Sequence, residues 1–113
     1  PMGNYIQRGA PDMRVVLKDL AGQTIETMST GKPNRILEVS ANKVLVATGR
    51  SPEGKPVKIA VLQDAAERLF RDGELEINVR NVGYRSAFVG AVLATLPGTV
   101  AESRPRRIRL VGS

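Results

Sequence analysis

The sequence contains no cysteine and no histidine, and each absence removes a class of function. Without cysteine, the chain forms neither disulfide bonds nor thiolate metal sites, which fits a reducing compartment such as the cytoplasm. Without histidine, it lacks the commonest metal ligand and the usual general base. We therefore expect a cytoplasmic protein that is not an enzyme and that needs no cofactor or metal ion.

Long apolar runs are also missing. No stretch approaches the roughly 20 apolar residues of a membrane span, and no signal-peptide pattern opens the chain. Pro1 before Met2 has the look of a cloning remnant, so Met2 is the expected native start. With 113 residues, of which 42% are apolar, the chain is long enough for one domain with a modest core.

Positive charge is present in excess, with a formal net charge of +6, and it is unevenly distributed along the chain. Residues 1–58 hold nine basic and five acidic residues, a net of +4, and residues 59–76 hold two basic and five acidic residues, a net of −3. Residues 77–113 hold six arginines and one acid, a net of +5. This polarity favours an anionic partner, bound on a positive side built around the C-terminal third.

The order of patterns predicts one domain with two parts. Residues 1–13 are polar and aperiodic, so we expect a flexible N-terminal arm. A single domain is expected over residues 14–113, and it divides into a β-rich subelement at 14–59 and a helix-turn-helix with a wing at 60–113. The first part alone is too small a core, so it should dock against the second.

In the β-rich subelement, a short helix is expected at Val15–Leu20. The runs Arg35–Val39 and Lys43–Thr48 then predict a hairpin, and Val57–Ile59 is expected to return as a third strand.

In the second part, each predicted element has its own signal. Apolar residues at helical spacing predict the first helix, and Gly73 ends it. A short helix and a glycine turn come next, and a longer helix ends sharply at Pro97-Gly98. The predicted elements are a helix at Ala60–Asp72, a short strand at Glu74–Glu76 pairing with the closing hairpin, a short helix within Ile77–Gly83, a helix at Tyr84–Leu96, and strands at Thr99–Ala101 and Arg107–Val111. The fold class is therefore α+β, a winged helix-turn-helix with an added N-terminal β-hairpin element.

The helix predicted at Tyr84–Leu96 is the candidate for reading DNA. Its apolar stripe, Phe88, Val89, Val92, Leu93 and Leu96, should face the core. The opposite side then presents Arg85, Ser86, Ala87, Gly90, Ala91 and Ala94. Small residues exposed there would let the helix settle in a major groove about 12 Å wide. The alternative is that this face packs on the β-element, with Arg85 a solvated charge.

Residues near the start of that helix are the expected base readers, as in other helix-turn-helix proteins. They are Asn81, Tyr84, Arg85 and Ser86. Arginine suits the edge of guanine and asparagine suits adenine. Tyr84 has three open roles: stacking on a base, a hydrogen bond to a phosphate, or covering the core. Arg80, on the short helix, should face a phosphate or pair with Glu74 or Glu76.

The hairpin tip, Arg104-Pro105-Arg106-Arg107, is the second candidate. Proline stiffens the turn, and guanidinium groups on a stiff loop can clamp phosphates or enter a minor groove. The alternative is a solubilising loop. Four earlier cations on the β-element are interpreted as solvating charges, or else as an extension of the DNA footprint: Lys43, Arg50, Lys55 and Lys58.

Two superficial motifs are rejected. Asp64 and Glu67 are neighbours on a helix, but an exposed charged face explains them and no third acid accompanies them. The glycines of residues 49–55 lack the lysine–serine or lysine–threonine ending of a phosphate loop.

The residues also carry a resemblance to a known family. The stretch GYRSAFVGAVL from Gly83 to Leu93, the following Leu96-Pro97-Gly98, and PRRIRL from Pro105 to Leu110 resemble a winged-helix module of bacterial DNA-processing proteins. Such modules are attached to restriction-type HNH endonucleases and include readers of modified DNA. The resemblance covers about Ile59–Val111, and more loosely the hairpin Arg35–Thr48.

The resemblance implies duplex binding by Tyr84, Arg85, Ser86 and the Arg104–Arg107 loop. The nuclease motif with its histidine and asparagine is absent from this sequence. If the resemblance holds, the chain is the binding module of a longer parent protein whose nuclease domain lies elsewhere.

Together these patterns favour a double-stranded DNA-binding module that targets a restriction or other DNA-processing protein to a specific or modified site. The rival hypothesis is a protein-interaction module that dimerises or docks through the face containing Ala87, Gly90, Ala91 and Ala94. RNA binding is less favoured because aromatic residues, which stack on unpaired bases, make up only 4% of the chain. A homodimer is possible under either hypothesis.

Overall fold

A computed structural model describes residues 9–28 and 30–111 of the chain. Within these ranges the protein has an α+β fold, in which four helices pack with two antiparallel sheets. In chain order the elements are α1 (Met13–Leu20), β1 (Thr24–Glu26), β2 (Pro33–Val39), β3 (Lys43–Ala47), β4 (Lys55–Lys58), α2 (Ile59–Asp72), β5 (Glu74–Glu76), α3 (Val79–Val82), α4 (Ser86–Leu93), β6 (Thr99–Glu102) and β7 (Arg107–Leu110).

The first sheet is antiparallel, with strand order β1-β2-β3-β4. The predicted hairpin is confirmed as β2 and β3, paired with Ile36 opposite Val46 and Val39 opposite Val44. A third strand, β4, returns as predicted but begins at Lys55 and ends before Ile59. Strand β1 was not predicted, because three residues are too few to display alternation.

Helix α1 begins two residues earlier than predicted, since the Asp12 carboxylate accepts from the Arg14 N–H at 3.0 Å and caps the helix. Residues Pro11 to Met13 are tied to α2 by one side-chain amide. The Met13 N–H donates to Gln63 Oε1 at 2.8 Å, and Gln63 Nε2 donates to the Pro11 carbonyl at 2.9 Å. Met13 is fully buried. The predicted flexible arm is therefore wrong at Pro11–Met13, while residues 1–8 lie outside the described residues.

The helix predicted at Ala60–Asp72 is confirmed as α2, which begins one residue earlier. Its buried face contains Leu62 and Leu69, and burying each such leucine contributes about 1.5–3 kcal/mol. Gly73 ends the helix at φ +83°, where its N–H donates to the Leu69 carbonyl at 2.7 Å. The buried residues form one cluster that includes Ile36 of the first sheet and Ile108 of the second. No helix in the described ranges combines the length and the apolar character needed to cross a membrane.

The second sheet is antiparallel, with β7 between β5 and β6. The predicted pairing of Glu74–Glu76 with the closing hairpin is confirmed, with Leu75 opposite Ile108 and Glu74 opposite Arg109. Leu75 and Ile108 point into the core, so the residues on either side of them point outward. The helices α3 and α4 connect β5 to β6.

Helix α4 is shorter and more deeply buried than predicted. Its predicted inner stripe is indeed buried, but the predicted exposure of the small-residue side is wrong: Ser86, Gly90 and Ala91 are buried, and Ala87 and Ala94 are exposed. The physical reason is contact with the β-element and with the segment after β5. A Cβ built on Gly90 would lie 2.9 Å from Met28 Sδ and 3.0 Å from Ile77 Cγ2. Glycine therefore permits a close approach here.

Candidate nucleic-acid interface

An open cleft of about 720 Å³ lies between the first sheet and the start of α4. One wall is formed by residues around Lys32 and Asn34 and by the loop that contains Arg50. The other wall runs from Tyr84 to Phe88, and Arg106 from the closing hairpin completes the lining. The cleft thus draws on four separate parts of the sequence.

Hydrogen bonds fix the loop that carries Lys32. The Thr27 hydroxyl accepts from the Lys32 N–H at 3.0 Å and lies 2.9 Å from the Thr30 hydroxyl. The backbone closes the same turn, since the Thr27 N–H donates to the Lys32 carbonyl at 3.0 Å. The Arg50 loop is closed similarly by two backbone hydrogen bonds between Thr48 and Ser51, of 3.2 and 3.1 Å. Both cations therefore stand on short, internally bonded turns.

The lining of the cleft is positively charged. It contains Lys32, Arg50, Arg85 and Arg106, and none of the described residues that line it is acidic. A smaller cleft of about 240 Å³ shares Arg50 and Arg85 and adds Lys55. In residues 9–28 and 30–111, the salt bridges involve other arginines: Arg68, Arg71, Arg107 and Arg109. The cations of the cleft are therefore left available to an external anion.

The start of α4 adds two further features. Tyr84 is 94% exposed beside the cleft, so of its three predicted roles, covering the core is excluded. Arg85 precedes the first helical residue without a side-chain cap. The first N–H groups of a helix have no intrahelical acceptor, and Ser86, whose N–H is one of them, lines the cleft. The positive end of the helix dipole therefore adds to the charge of the arginines.

The structure brings four of the predicted site residues together at this cleft: Tyr84, Arg85, Ser86 and Arg106. Arg104 is exposed in the turn between β6 and β7, with φ +69°. Arg107 belongs to a different surface. It is the first residue of β7, and its guanidinium lies 3.2 Å from Glu74 Oε1 and 3.9 Å from Glu102 Oε1. The predicted start of the last strand at Arg107 is therefore confirmed, while a DNA contact by Arg107 stays a prediction.

Asn81 was predicted to read bases, but its side chain is used within the fold. Its Nδ2 donates to the Glu76 carbonyl at 2.9 Å, and its N–H donates to Asn78 Oδ1 at 2.8 Å. Its carbonyl accepts from Arg68. These bonds hold the turn between β5 and α3, so Asn81 is a structural residue in this conformation.

Arg80 is exposed on α3. The predicted acidic partners are engaged elsewhere, Glu74 with Arg107 and Glu76 with Asn78. A phosphate contact by Arg80 stays a prediction.

Lys32 and Asn34 were not predicted to contribute to the site, and Arg50 was interpreted as a solvating charge or as an extension of the DNA footprint. Of the other cations interpreted in that way, Lys43 and Lys58 line a separate small cleft that also contains Asp12. The available signal was the break at Gly31-Lys32-Pro33, which indicates a turn with a charged tip. The pattern of one segment does not reveal that this tip faces Arg85.

Four arginines outside the cleft pair with acids in the described residues. On the outer face of the second sheet, Arg109 Nη2 donates to Glu102 Oε2 at 2.9 Å. At the end of α2, Arg71 donates to Asp72 at 2.9 Å, and this hydrogen bond lowers the pKa of the Asp72 carboxyl and raises that of Arg71. Asp64 lies 3.6 Å from Arg68. Both arginines of α2 therefore pair with an acid on the same helix, whereas Glu67 forms no salt bridge in the described residues.

Comparison of the chain with family models, with curated proteins and with solved structures found no match. The resemblance to winged-helix modules of DNA-processing proteins therefore stays a prediction from the sequence pattern.

Proposed function

We propose that this chain is a double-stranded DNA-binding module that holds the phosphate backbone with its basic cleft and the adjoining hairpin tip. The observation that carries the proposal is the set of four cationic side chains around the cleft, none of them in a salt bridge within the described residues: Lys32, Arg50, Arg85 and Arg106. Cations that contact phosphates release counterions from duplex DNA, and this release dominates affinity.

The order of the C-terminal elements supports a winged helix-turn-helix arrangement. Helix α2 is followed by the short strand β5, the one-turn helix α3, helix α4 and the hairpin of β6 and β7. The pairing of β5 with β7 makes this hairpin part of a three-stranded sheet. Its turn, with the exposed Arg104, takes the place of the wing and suits a phosphate or a minor groove.

The docking mode differs from the one expected from the sequence. Helix α4 is unable to lie along a major groove, because Gly90 and Ala91 are covered by the protein itself. In our proposal only its start approaches DNA, with Tyr84 and Arg85 reaching base edges or phosphates. Anion binding at a helix N-terminus needs no deep insertion. Backbone contacts therefore outnumber base contacts, and we expect modest sequence preference.

The same burial weakens the rival function. A dimer through the small-residue side of α4 needs Gly90 and Ala91 at the surface, and both are buried. The exposed members of that side, Ala87 and Ala94, do not by themselves make a large apolar patch. Membership of a restriction system, an attached nuclease domain and reading of a modified base stay predictions that this geometry does not address.

Titration of a fluorescently labelled duplex at several salt concentrations tests the function. We expect a dissociation constant of about 1–100 μM near physiological salt. The affinity should fall steeply as salt rises: the logarithm of the association constant should change with the logarithm of the salt concentration with a slope of about −0.9 per phosphate contacted. Binding that is indifferent to salt, or no saturable binding below about 100 μM, contradicts the proposal.

Two single-residue variants, one in the cleft and one outside it, test whether DNA binds at the cleft. Arg85→Ala should weaken binding about tenfold, as expected for one charge-assisted contact of about 1.5 kcal/mol, and should reduce the salt slope by about 1. Arg71→Ala removes the same charge from the far end of α2, where Arg71 pairs with Asp72. Equal effects of the two variants would show that net charge, and not the cleft, determines affinity.

A further inference from the structure

Polar side chains are rare in the interior of this protein, and they gather around the cleft. In the described residues, the buried polar side chains are Thr27, Asn34, Ser51 and Ser86. Three of them line the main cleft, and Ser51 lines the smaller cleft beside it. Burying a polar group without a partner costs about 1–3 kcal/mol, so apolar residues are the usual choice for such positions.

Asn34 shows the pattern most clearly. It lies on the inward side of β2, in line with Ile36, and is 5% exposed. Its Nδ2 makes one long hydrogen bond, 3.5 Å, to the Lys32 carbonyl, and its Oδ1 has no partner among the described residues. No fully buried side-chain oxygen or nitrogen in the described part of the chain lacks a partner, which agrees with an Oδ1 that is accessible to solvent. The route open to it is the cleft that Asn34 lines.

Ser86 repeats this arrangement on the opposite wall. It is 6% exposed, and its hydroxyl has no hydrogen-bond partner among residues 9–28 and 30–111. By the same reasoning, the hydroxyl opens into the cleft. The floor of the cleft therefore offers an amide and a hydroxyl, and its rim offers guanidinium groups from Arg85 and Arg106 and the exposed ring of Tyr84.

We infer that the cleft binds a single nucleotide, whose base edge is recognised by Asn34 and Ser86 and whose phosphate is held by Arg85 and Arg106. An amide presents a donor and an acceptor side by side, which matches the edge of a nucleobase. A volume of about 720 Å³ lies within the ~300–1,000 Å³ of small-molecule sites. Tyr84 supplies the stacking surface that an unpaired base requires. The inference rests on the DNA-binding function proposed above, and it names an extruded nucleotide of the duplex as the occupant.

A set of otherwise identical duplexes tests the inference. The first has a perfect central base pair, and the second has a central base opposite an abasic position. The third is the second duplex with 2-aminopurine as that unpaired central base. A base without a partner costs less to extrude, so we expect the second duplex to bind about tenfold more tightly than the first. The 2-aminopurine fluorescence should rise severalfold on binding, because the base leaves the stack. Salt-dependent binding with no preference and no fluorescence change would overturn the inference and leave the DNA-binding function intact.

Two further experiments test which residues bind the base and whether the nucleotide comes from a duplex or from solution. Asn34→Ala should abolish the preference for the unpaired base, whereas Asn42→Ala, in the exposed turn between β2 and β3, should retain it. Ser86→Ala, a nearly isosteric change, should reduce the preference severalfold even if Asn34→Ala fails to fold. Titration with free deoxynucleoside monophosphates separates the sources. Saturation by these at micromolar concentration, without a preference among duplexes, would support the nucleotide site but overturn the extruded nucleotide as its occupant. An unchanged preference in both variants would remove the base-reading role.

Discussion

Two surfaces of this molecule carry arginines, and they use them differently. The cleft between the first sheet and α4 contains Arg85 and Arg106, and none of its described lining residues is acidic. The outer face of the second sheet contains Arg107 and Arg109, and Glu102 lies within salt-bridge distance of both. Arg106 and Arg107 are neighbours in sequence, yet they belong to different surfaces, because Arg106 lies in the turn and lines the cleft whereas Arg107 is the first residue of β7 and faces Glu74 and Glu102.

The difference shows that a cluster of basic residues in a sequence is not yet a binding site. Paired arginines on an exposed sheet face have small effects on stability, in the range of about 0–1 kcal/mol, and carry little net charge with their partners. Unpaired arginines that face one another across a cleft raise the local potential and attract anions. The tip sequence RPRR contains both kinds.

The largest effect on duplex affinity is expected when two arginines are replaced in the cleft and compared with two replaced on the outer face of the second sheet. The double variant Arg85→Gln/Arg106→Gln should weaken duplex binding about 100-fold, or about 2.7 kcal/mol, because two charge-assisted contacts are lost. Arg107→Gln/Arg109→Gln removes the same two charges from the outer face and should weaken binding only about fourfold, through net charge alone. Fluorescence anisotropy at one fixed salt concentration measures both. Similar losses in the two double variants would contradict the division of roles between the surfaces.

Sequence patterns were sufficient for most of the fold. Helix α2 was predicted within one residue at its start, because its apolar spacing and Gly73 are strong local signals. The pairing of β5 with the hairpin followed from the order of elements. The burial of α4 on its small-residue side was not predicted, although a local signal for it exists. The segment SAFVGAVL contains no charged residue, and such an apolar helix is usually covered on all sides.

The candidate site was predicted only in its C-terminal half. Tyr84, Arg85 and Arg106 were found because they flank a helix and a hairpin that local patterns identify. Lys32 and Asn34 were missed because their role depends on packing of the first sheet against α4, which involves contacts more than 50 residues apart in sequence. Arg107 was placed both in the tip and at the start of the last strand, and its pairing with Glu74 and Glu102 depends on sheet contacts that the local sequence does not show.

A second prediction concerns the packing of α4 against the β-element, which positions one wall of the cleft. Gly90→Val should destabilise the protein by about 1–3 kcal/mol, since the added methyl groups would collide with Met28 and Ile77 where glycine permits close packing. Helix propensity alone favours valine over glycine by a few tenths of a kcal/mol, so the sign of the change is diagnostic. Ala87→Val, on the exposed side of the same helix, should cost about 0.5 kcal/mol. Urea denaturation measures both free energies. A stabilised Gly90→Val variant would mean that this side of α4 is open, as the sequence first indicated.

The smallest expected effect tests the neutralised surface. Glu102 accepts from Arg109 at 2.9 and 3.1 Å and lies 3.9 Å from Arg107, so Glu102→Gln removes the charge that compensates both arginines. Stability should fall by about 0.5 kcal/mol, because the network is partly exposed and screened by water. Duplex affinity at low salt should rise only about twofold, through the change in net charge, and this gain should vanish at high salt.

Glu67→Gln is the matched control for that variant. Glu67 is exposed on α2 and forms no salt bridge within the described residues, so its replacement changes the net charge equally without releasing an arginine. Both variants should therefore gain the same small factor in affinity. If Glu102→Gln instead gained fivefold or more over Glu67→Gln, the released Arg109 would be in contact with DNA. The outer face of the second sheet would then be part of the interface. Its arginines would contribute less to DNA affinity than those of the cleft because they are paired with acids, and not because they lie far from the DNA.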